Sequence, residues 1–167
     1  MICSAGSSTA SSAKQGNGMK VWRMVSKPYA STAFDGEGAA RYSGRWNPRG
    51  VRMVYTADSL ALATLELSVH LIGARVTYTA IEVEIPDRLI DEATPKQLPR
   101  NWQTDQSVTQ RVGEKWVRSL SSLGLIVPSA LIDPRSGERN LLISPAHPQH
   151  ESIVELQRFQ VALDERI

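Results

Sequence analysis

The pattern of apolar and polar positions predicts a domain built mainly from short strands. Apolar and β-branched residues predict strands over 20–25 and 51–56, and strict alternation predicts another over 75–85, which ends before Pro86. Shorter apolar runs, separated by breaks that contain proline or glycine, predict strands over 125–127, 130–132, 140–143 and 153–161. These strands favour a curved sheet that is largely antiparallel.

Two segments have helical spacing instead. Asp58 or Ser59 can cap a helix over 60–71, on which Leu62, Leu65 and Val69 share an apolar face. Glu66 lies at i+4 from Leu62, so we expect its carboxylate at the edge of that face, where it is either partly buried and directed inward or part of a solvated flank. A second helix is expected up to about Leu123, with apolar positions at Val108, Val112, Trp116 and Leu120. Helices inserted among strands predict a single α+β domain.

Two segments lack such periodicity. Residues 26–50 are rich in Gly and Pro and predict a long loop, which Phe34, Tyr42 and Trp46 indicate to be ordered and to face a ligand. Residues 1–18 are rich in Ser, Ala and Gly and predict a disordered leader. We therefore place the domain at 19–167, with Met1 and Met19 as alternative starts.

Composition limits the function classes. The net charge is +2 and the Lys and Arg residues are scattered, which argues against direct binding of nucleic acid. The single cysteine, Cys3, excludes an internal disulfide, and the histidines share no metal-ligand spacing, so we expect no metal. No apolar run is long enough for a membrane span or a secretory signal. We therefore expect a cytoplasmic protein.

The densest cluster of candidate chemistry runs from Gly44 to Gly50. Its glycines let backbone amides approach an anion, Arg45 offers a planar fork for phosphate, and Trp46 and Asn47 add a stacking face and an amide. The alternative is a surface turn with Arg45 exposed and Trp46 in the core, and composition leaves both open. Tyr55 follows near a strand end. Ser129, without a nucleophile elbow or a nearby histidine, is expected only to donate or accept hydrogen bonds.

Seven short motifs, taken in order, resemble the RES-domain toxins of bacterial toxin–antitoxin pairs. Each motif is weak alone, but their shared order and spacing make the resemblance specific, and it extends from about Val21 to the C-terminus. The motifs are Trp22-Arg23, Gly36-Glu37-Gly38, Gly44-Arg45-Trp46-Asn47-Pro48, Val54-Tyr55-Thr56, Ala61-Leu62-Ala63-Thr64-Leu65-Glu66, Val127-Pro128-Ser129 and Arg139-Asn140-Leu141-Leu142.

The resemblance implies a split, twisted, mostly antiparallel sheet like the ADP-ribosyltransferase core. It also implies NAD as the substrate, with no further cofactor, and cleavage of the nicotinamide–ribose bond. By the same resemblance Glu66, Arg45 and Ser129 are the catalytic residues. The residues implied to bind NAD are Arg23, Arg45, Trp46, Asn47, Tyr55 and Ser129.

The partner implied by the resemblance is a separately encoded, Xre-like helix-turn-helix antitoxin. Within the toxin–antitoxin complex, this chain can also form a homo-oligomer. The sequence does not name the acceptor of the ADP-ribosyl group, which is water, phosphate or a protein. Two alternatives stay open: a non-catalytic module that binds the phosphates of a nucleotide or of RNA, and an RNA-cleaving toxin. Release of nicotinamide from NAD discriminates the enzyme from both.

Overall fold

A seven-stranded sheet forms the centre of the protein in this computed structural model, which describes residues 18–69 and 77–163. The strand order is β4-β5-β6-β2-β1-β3-β7, and neighbouring strands run antiparallel except for β4 and β5, which are parallel. The strands are β1 (Gly18–Ser26), β2 (Val54–Ala57), β3 (Thr77–Pro86), β4 (Ile90–Glu92), β5 (Gly124–Pro128), β6 (Arg139–Ile143) and β7 (Val154–Ala162).

Three α-helices of the described ranges lie between the strands. The helices are α1 (Glu37–Tyr42), α2 (Leu60–Ser68) and α3 (Gln106–Ser119). Short 3₁₀ segments at Lys27–Thr32, Asp87–Leu89, Pro134–Ser136 and His150–Ser152 complete the connections. The prediction of a single α+β domain with a mostly antiparallel sheet is confirmed.

The sheet is split between β1 and β2. These neighbours share a single registered pair, Trp22 opposite Ala57, whereas β1 pairs with β3 along its whole length from Gly18 to Ser26. Beyond that pair the two strands diverge, so backbone groups along the split need other hydrogen-bond partners. The split therefore creates a place where side chains enter between strands.

Both faces of the sheet are covered. One face carries a core that includes Val21, Val54, Ile81, Val83 and Leu141. On the other face, α2 packs over β1, β2 and β3, and the cluster between them includes Met24, Ala57, Leu62 and Ala80. Helix α3 packs over β5 and β6, and the cluster there includes Trp46, Trp102, Trp116, Val127 and Leu142. The predicted core position of Trp116 is confirmed.

The buried face of α2 differs from the predicted one. Leu62 is buried, but Leu65 and Val69 are 40% and 54% exposed, because the helix packs through Leu62 and the adjacent Ala63. Glu66 lies one turn after Leu62 on this inward row. The carboxylate is therefore directed toward the sheet and is not a solvated flank.

Several predicted boundaries were wrong. The predicted loop 26–50 contains a 3₁₀ segment and α1, because short helices of one or two turns leave no clear period in the sequence. Residues 130–132 form no strand, since Ser129 folds them into a turn, and the three-residue β4 was not predicted. Helix α3 ends at Ser119, where Leu120 adopts a left-handed conformation with φ 51°.

The ends of the chain and one internal stretch lie outside this description. The predicted leader falls almost wholly on residues 1–17, and the predicted end of the α2 helix falls on residues 70–76, so both stay predictions. Within the described ranges, helices are too short or too polar to cross a bilayer.

Candidate functional site

Glu66 is the centre of the candidate site, and its carboxylate is held by two side chains from the sheet. Ser59 caps the start of α2 by accepting a hydrogen bond from the Leu62 amide. From this helix, Oε1 of the half-buried Glu66 accepts hydrogen bonds from Ser129 Oγ at 2.9 Å and from Asn140 Nδ2 at 2.6 Å. One oxygen is thus fixed, and among the described residues the other, Oε2, has no donor.

The two donors come from adjacent strands. Ser129 directly follows β5 and is 1% exposed, and its hydroxyl also accepts from the Leu131 amide at 3.1 Å. Asn140 lies on β6, in register with Ala57 on one side and Val127 on the other. Because these central strands are rigidly paired, the orientation of the carboxylate is set by the sheet.

Arg23 fills the split between β1 and β2. Its Nη1 donates to the Tyr55 carbonyl at 2.7 Å and its Nε to the Ala33 carbonyl at 2.9 Å, supplying hydrogen bonds that strand pairing does not. Burial lowers the pKa of Arg23 to about 10, partly offset by Asp35 and Tyr55. The guanidinium is therefore still a cation at neutral pH, and within the described ranges its Nη2 has no partner.

The Tyr55 phenol joins this site to the loop 44–47. It accepts from the Trp46 amide at 2.9 Å and donates to Asn47 Oδ1 at 2.7 Å. Burial raises the pKa of Tyr55, and the negative charge of Glu66 raises it further. The hydrogen bonds with Trp46 and Asn47 and the positive charge of Arg23 oppose this by lowering the pKa. The phenol is neutral at physiological pH and lies within electrostatic range of both Arg23 and Glu66.

Asn47 is fully buried and organises the loop from within. Its Nδ2 donates to the carbonyls of Ala39, Pro48 and Val51 at 2.8, 3.1 and 3.0 Å, and its Oδ1 accepts from Tyr55. The predicted direct contact with NAD would require breaking these bonds. In the structure Asn47 acts on the loop, and NAD contact by this side chain stays a prediction.

Arg45 and Trp46 both contact the segment that precedes α3. Arg45 Nη2 donates to the Trp102 and Gln103 carbonyls at 2.8 and 2.5 Å, and the Trp46 ring is 2% exposed and stacks on Trp102 with centroids 6.5 Å apart. No described contact links either side chain to Glu66. Of the two interpretations left open by composition, the structure supports a core Trp46, whereas Arg45 anchors a neighbouring segment and is not exposed.

The site thus brings together Glu66, Ser129, Tyr55 and Arg23, with Asn140 as an addition. Two open recesses, of 470 and 330 Å³, lie elsewhere, one beside α3 and the other around His150. The side-chain contacts among these residues define the candidate site. Within residues 18–69 and 77–163, no group of three His, Cys, Asp or Glu side chains is suited to hold a metal ion.

Comparison with known proteins agrees with the motifs. Residues 20–164 match the family described as the RES domain. The chain belongs to the RES domain family. A protein named Toxin Res from Yersinia enterocolitica is 35% identical over 154 residues, covering 89% of this chain and 99% of the relative. A protein named Prs ADP-ribosylating toxin, from a Sphingobium species, is 38% identical over 141 residues, covering 79% and 86%.

A solved structure shares the fold of this RES domain. The crystal structure of the MbcT–MbcA toxin–antitoxin complex of M. tuberculosis includes a chain that superposes with a TM-score of 0.70 at 21% sequence identity, covering 87% of this chain and 85% of that one. At this identity the likeness supports the architecture alone.

Asn140 is the site residue that the sequence prediction missed. It stands in the Arg139-Asn140-Leu141-Leu142 motif of the RES domain, as a polar residue at the head of an apolar strand. Such a buried amide needs partners. That signal could have identified a role in the site, although not that its partner is Glu66.

Proposed function

We propose that this RES domain is the toxin of a toxin–antitoxin pair and that it cleaves NAD between nicotinamide and ribose. The observation that carries the proposal is the half-buried Glu66 carboxylate, with Oε1 held by Ser129 and Asn140 and with no donor to Oε2 among residues 18–69 and 77–163. The relative named Toxin Res supports the role as a toxin, and the relative named an ADP-ribosylating toxin supports transfer chemistry at the ribose.

In the proposed reaction the bond between ribose C1′ and the nicotinamide nitrogen breaks. The electron pair leaves with nicotinamide, which departs neutral, and the ribosyl group becomes an oxocarbenium-like cation. Oε2 of Glu66 stabilises that cation or accepts a hydrogen bond from a ribose hydroxyl, while Ser129 and Asn140 keep the carboxylate from turning away. The acceptor, which is water, phosphate or a protein group, then forms the new bond to C1′ and loses its proton.

Arg23 is the residue proposed to bind the pyrophosphate. Its guanidinium is cationic, it is fixed through Nη1 and Nε, and it retains Nη2 for a ligand. Arginine held in this way loses little freedom when it binds phosphate. The neutral Tyr55 beside it offers a ring edge for nicotinamide or ribose. Arg45, which is occupied with the Trp102 and Gln103 carbonyls, has a supporting role.

The experiment that tests the proposal is incubation of the purified protein with NAD, followed by chromatography for free nicotinamide. Mass spectrometry of the second product, with phosphate present and absent, identifies the acceptor. Glu66→Gln should abolish release, and Glu151→Gln, which replaces an exposed glutamate away from the site, should leave it intact. Binding of NAD without release of nicotinamide would instead favour a non-catalytic module.

The biological role is tested by expression. We expect wild-type protein produced without a partner to lower cellular NAD and stop bacterial growth, and Glu66→Gln at equal level to do neither. Co-expression with a neighbouring gene that encodes a helix-turn-helix protein should restore growth. Unchanged NAD during verified wild-type expression would contradict the proposed role as a toxin.

A further inference from the structure

Helix α3 presents an unusual polar stripe to the loop that carries Arg45. The stripe consists of Gln106, Thr109, Gln110 and Gly113, at positions i, i+3, i+4 and i+7 of one helix face. On a neighbouring face the same helix buries Val108 and Trp116 in the core. Thr109 and Gly113 in the stripe are also buried, so the stripe packs closely against its neighbour.

The stripe contacts three consecutive carbonyls of the loop. Gln106 Nε2 and Gln110 Nε2 both donate to the Gly44 carbonyl, at 2.9 and 3.0 Å. Thr109 Oγ1 donates to the Arg45 carbonyl at 2.6 Å. Gly113 lies so close to the Trp46 carbonyl that a Cβ would stand 1.9 Å from its oxygen. All three carbonyls are thus directed toward α3.

The orientation of these carbonyls fixes where the following amides point. In a trans peptide the C=O and the next N–H point in opposite directions. The Trp46 amide follows the rule: the Arg45 carbonyl faces α3, and the Trp46 N–H donates to the Tyr55 phenol on the opposite side. By the same geometry the Arg45 N–H, paired with the Gly44 carbonyl, points away from α3. Within the described ranges no group accepts from it.

The loop needs contacts from within and from outside to hold its strained conformation. Ser43 has φ 60° and ψ 170°, a region that residues other than glycine rarely adopt. At Gly44 a Cβ would lie 2.5 Å from the Tyr55 hydroxyl and 2.7 Å from Asn47 Oδ1. From within the loop the Gly44 N–H donates to the Asn47 carbonyl at 2.9 Å, and from outside the two glutamines donate to the Gly44 carbonyl.

We propose that Gln106 and Gln110 are positioning residues, which hold the Gly44–Arg45 peptide so that the Arg45 N–H donates to a phosphate oxygen of the nucleotide. The proposal rests on the proposed function, since it names a contact within the same site. Two features support an anion on that side: Tyr55 lies there beside the cationic Arg23, and a free backbone N–H in a glycine-containing turn is a donor suited to phosphate. The Arg45 side chain is not part of this contact.

The test compares ligands with and without phosphate. Wild type and Gln106→Ala/Gln110→Ala are titrated by calorimetry with ADP-ribose, which carries the phosphates but has no nicotinamide bond to cleave, and with adenosine, which has neither. We expect the double variant to bind ADP-ribose roughly tenfold more weakly, as for loss of one charge-assisted hydrogen bond, with unchanged affinity for adenosine. Gln160→Ala, an exposed glutamine on β7, is the matched control and should bind both ligands as wild type does.

A direct readout is the Arg45 amide in ¹H–¹⁵N spectra. Inorganic pyrophosphate or ADP-ribose should shift this resonance in wild type and shift it less in the double variant. If the double variant is poorly folded, the two single variants, which each keep one glutamine donor, replace it in the test. Equal ADP-ribose affinity in folded wild type and variants, or an unmoved Arg45 resonance, would overturn the inference while leaving NAD cleavage intact. Wild type that neither binds ADP-ribose nor cleaves NAD would overturn both.

Discussion

Glu66 and Ser129 are 63 residues apart in the chain, and the serine hydroxyl donates to the carboxylate at 2.9 Å. The bond joins α2 to the turn that follows β5, so the orientation of the carboxylate depends on how the helix packs on the sheet. Asn140 adds a second donor to the same oxygen, from the neighbouring strand. A carboxylate fixed in this way needs no reorganisation when positive charge develops beside it, and this property accounts for the expected kinetic signatures.

Glu66→Gln should reduce kcat for nicotinamide release by about 100-fold or more, the scale seen when one preorganised electrostatic group is removed. Glutamine keeps the shape and accepts the same hydrogen bonds through its amide oxygen, but it lacks the negative charge. KM for NAD should therefore change little. Steady-state kinetics on folded protein check this. Wild-type turnover by Glu66→Gln would refute the proposed mechanism.

Asn140→Ala should lower kcat roughly tenfold while the variant stays folded, since Glu66 Oε1 loses one charge-assisted donor and keeps the other. Ser129→Ala should have a similar kinetic effect and a larger effect on stability, because the Leu131 amide loses its acceptor as well. Thermal unfolding and kcat, measured on both variants, separate the two effects. Equal melting temperatures would show that the turn at Ser129 does not depend on this hydroxyl.

The sequence predicted the elements that carry the site better than the contacts between them. Alternation identified β3, because its second half buries Ile81, Val83 and Ile85 on one face and leaves Glu82 and Glu84 only partly buried on the other, and helical spacing identified α2 and α3. It misassigned the inward face of α2, since Leu65 is as apolar as Leu62 and only the packed sheet distinguishes them. Nor could it show that Arg45 binds carbonyls at Trp102 and Gln103, because that contact joins segments more than fifty residues apart.

The two arginines should respond differently to the same substitution. Arg23→Lys should raise KM for NAD about tenfold or more, since an ammonium has its donors on one nitrogen and lacks the planar fork that spans the Tyr55 and Ala33 carbonyls and a phosphate. Arg45→Lys should chiefly lower the free energy of unfolding, by about 1–3 kcal/mol, through weaker bonds to the segment before α3. Urea unfolding and KM distinguish them, with the exposed Arg49→Lys as the control. A larger KM effect at Arg45 than at Arg23 would reverse the assignment.

The Tyr55 phenol should make stability depend on alkaline pH. Burial raises the pKa of Tyr55 above the value of about 10 that it has in an unfolded chain. Its contribution to stability is thus complete below about pH 10 and is lost as pH rises beyond it, because the unfolded chain releases the proton first. The stability of wild type should therefore fall more between pH 9 and 11, in urea titrations at about those values, than that of Tyr55→Phe. Tyr42 is 82% exposed, so Tyr42→Phe is the control and should lose stability with pH as wild type does. An identical dependence of the free energy of unfolding on pH in wild type and Tyr55→Phe would contradict a buried phenol at Tyr55.

Gly113→Ala should destabilise the protein although alanine favours helices. Helix propensity alone predicts a gain of about 1 kcal/mol for this change within α3. The structure predicts the opposite sign, because the new Cβ would stand 1.9 Å from the Trp46 carbonyl oxygen and would push α3 off the loop that it supports. Gly38→Ala in α1 is the matched control: no atom lies within 4 Å of its Cβ position, so this variant should be unchanged or slightly more stable. Urea unfolding of both variants gives the two signs directly. The Gly113→Ala variant should also bind NAD more weakly, because the displaced loop carries the Arg45 amide. If Gly113→Ala were as stable as Gly38→Ala, α3 would not be in direct contact with the Trp46 carbonyl.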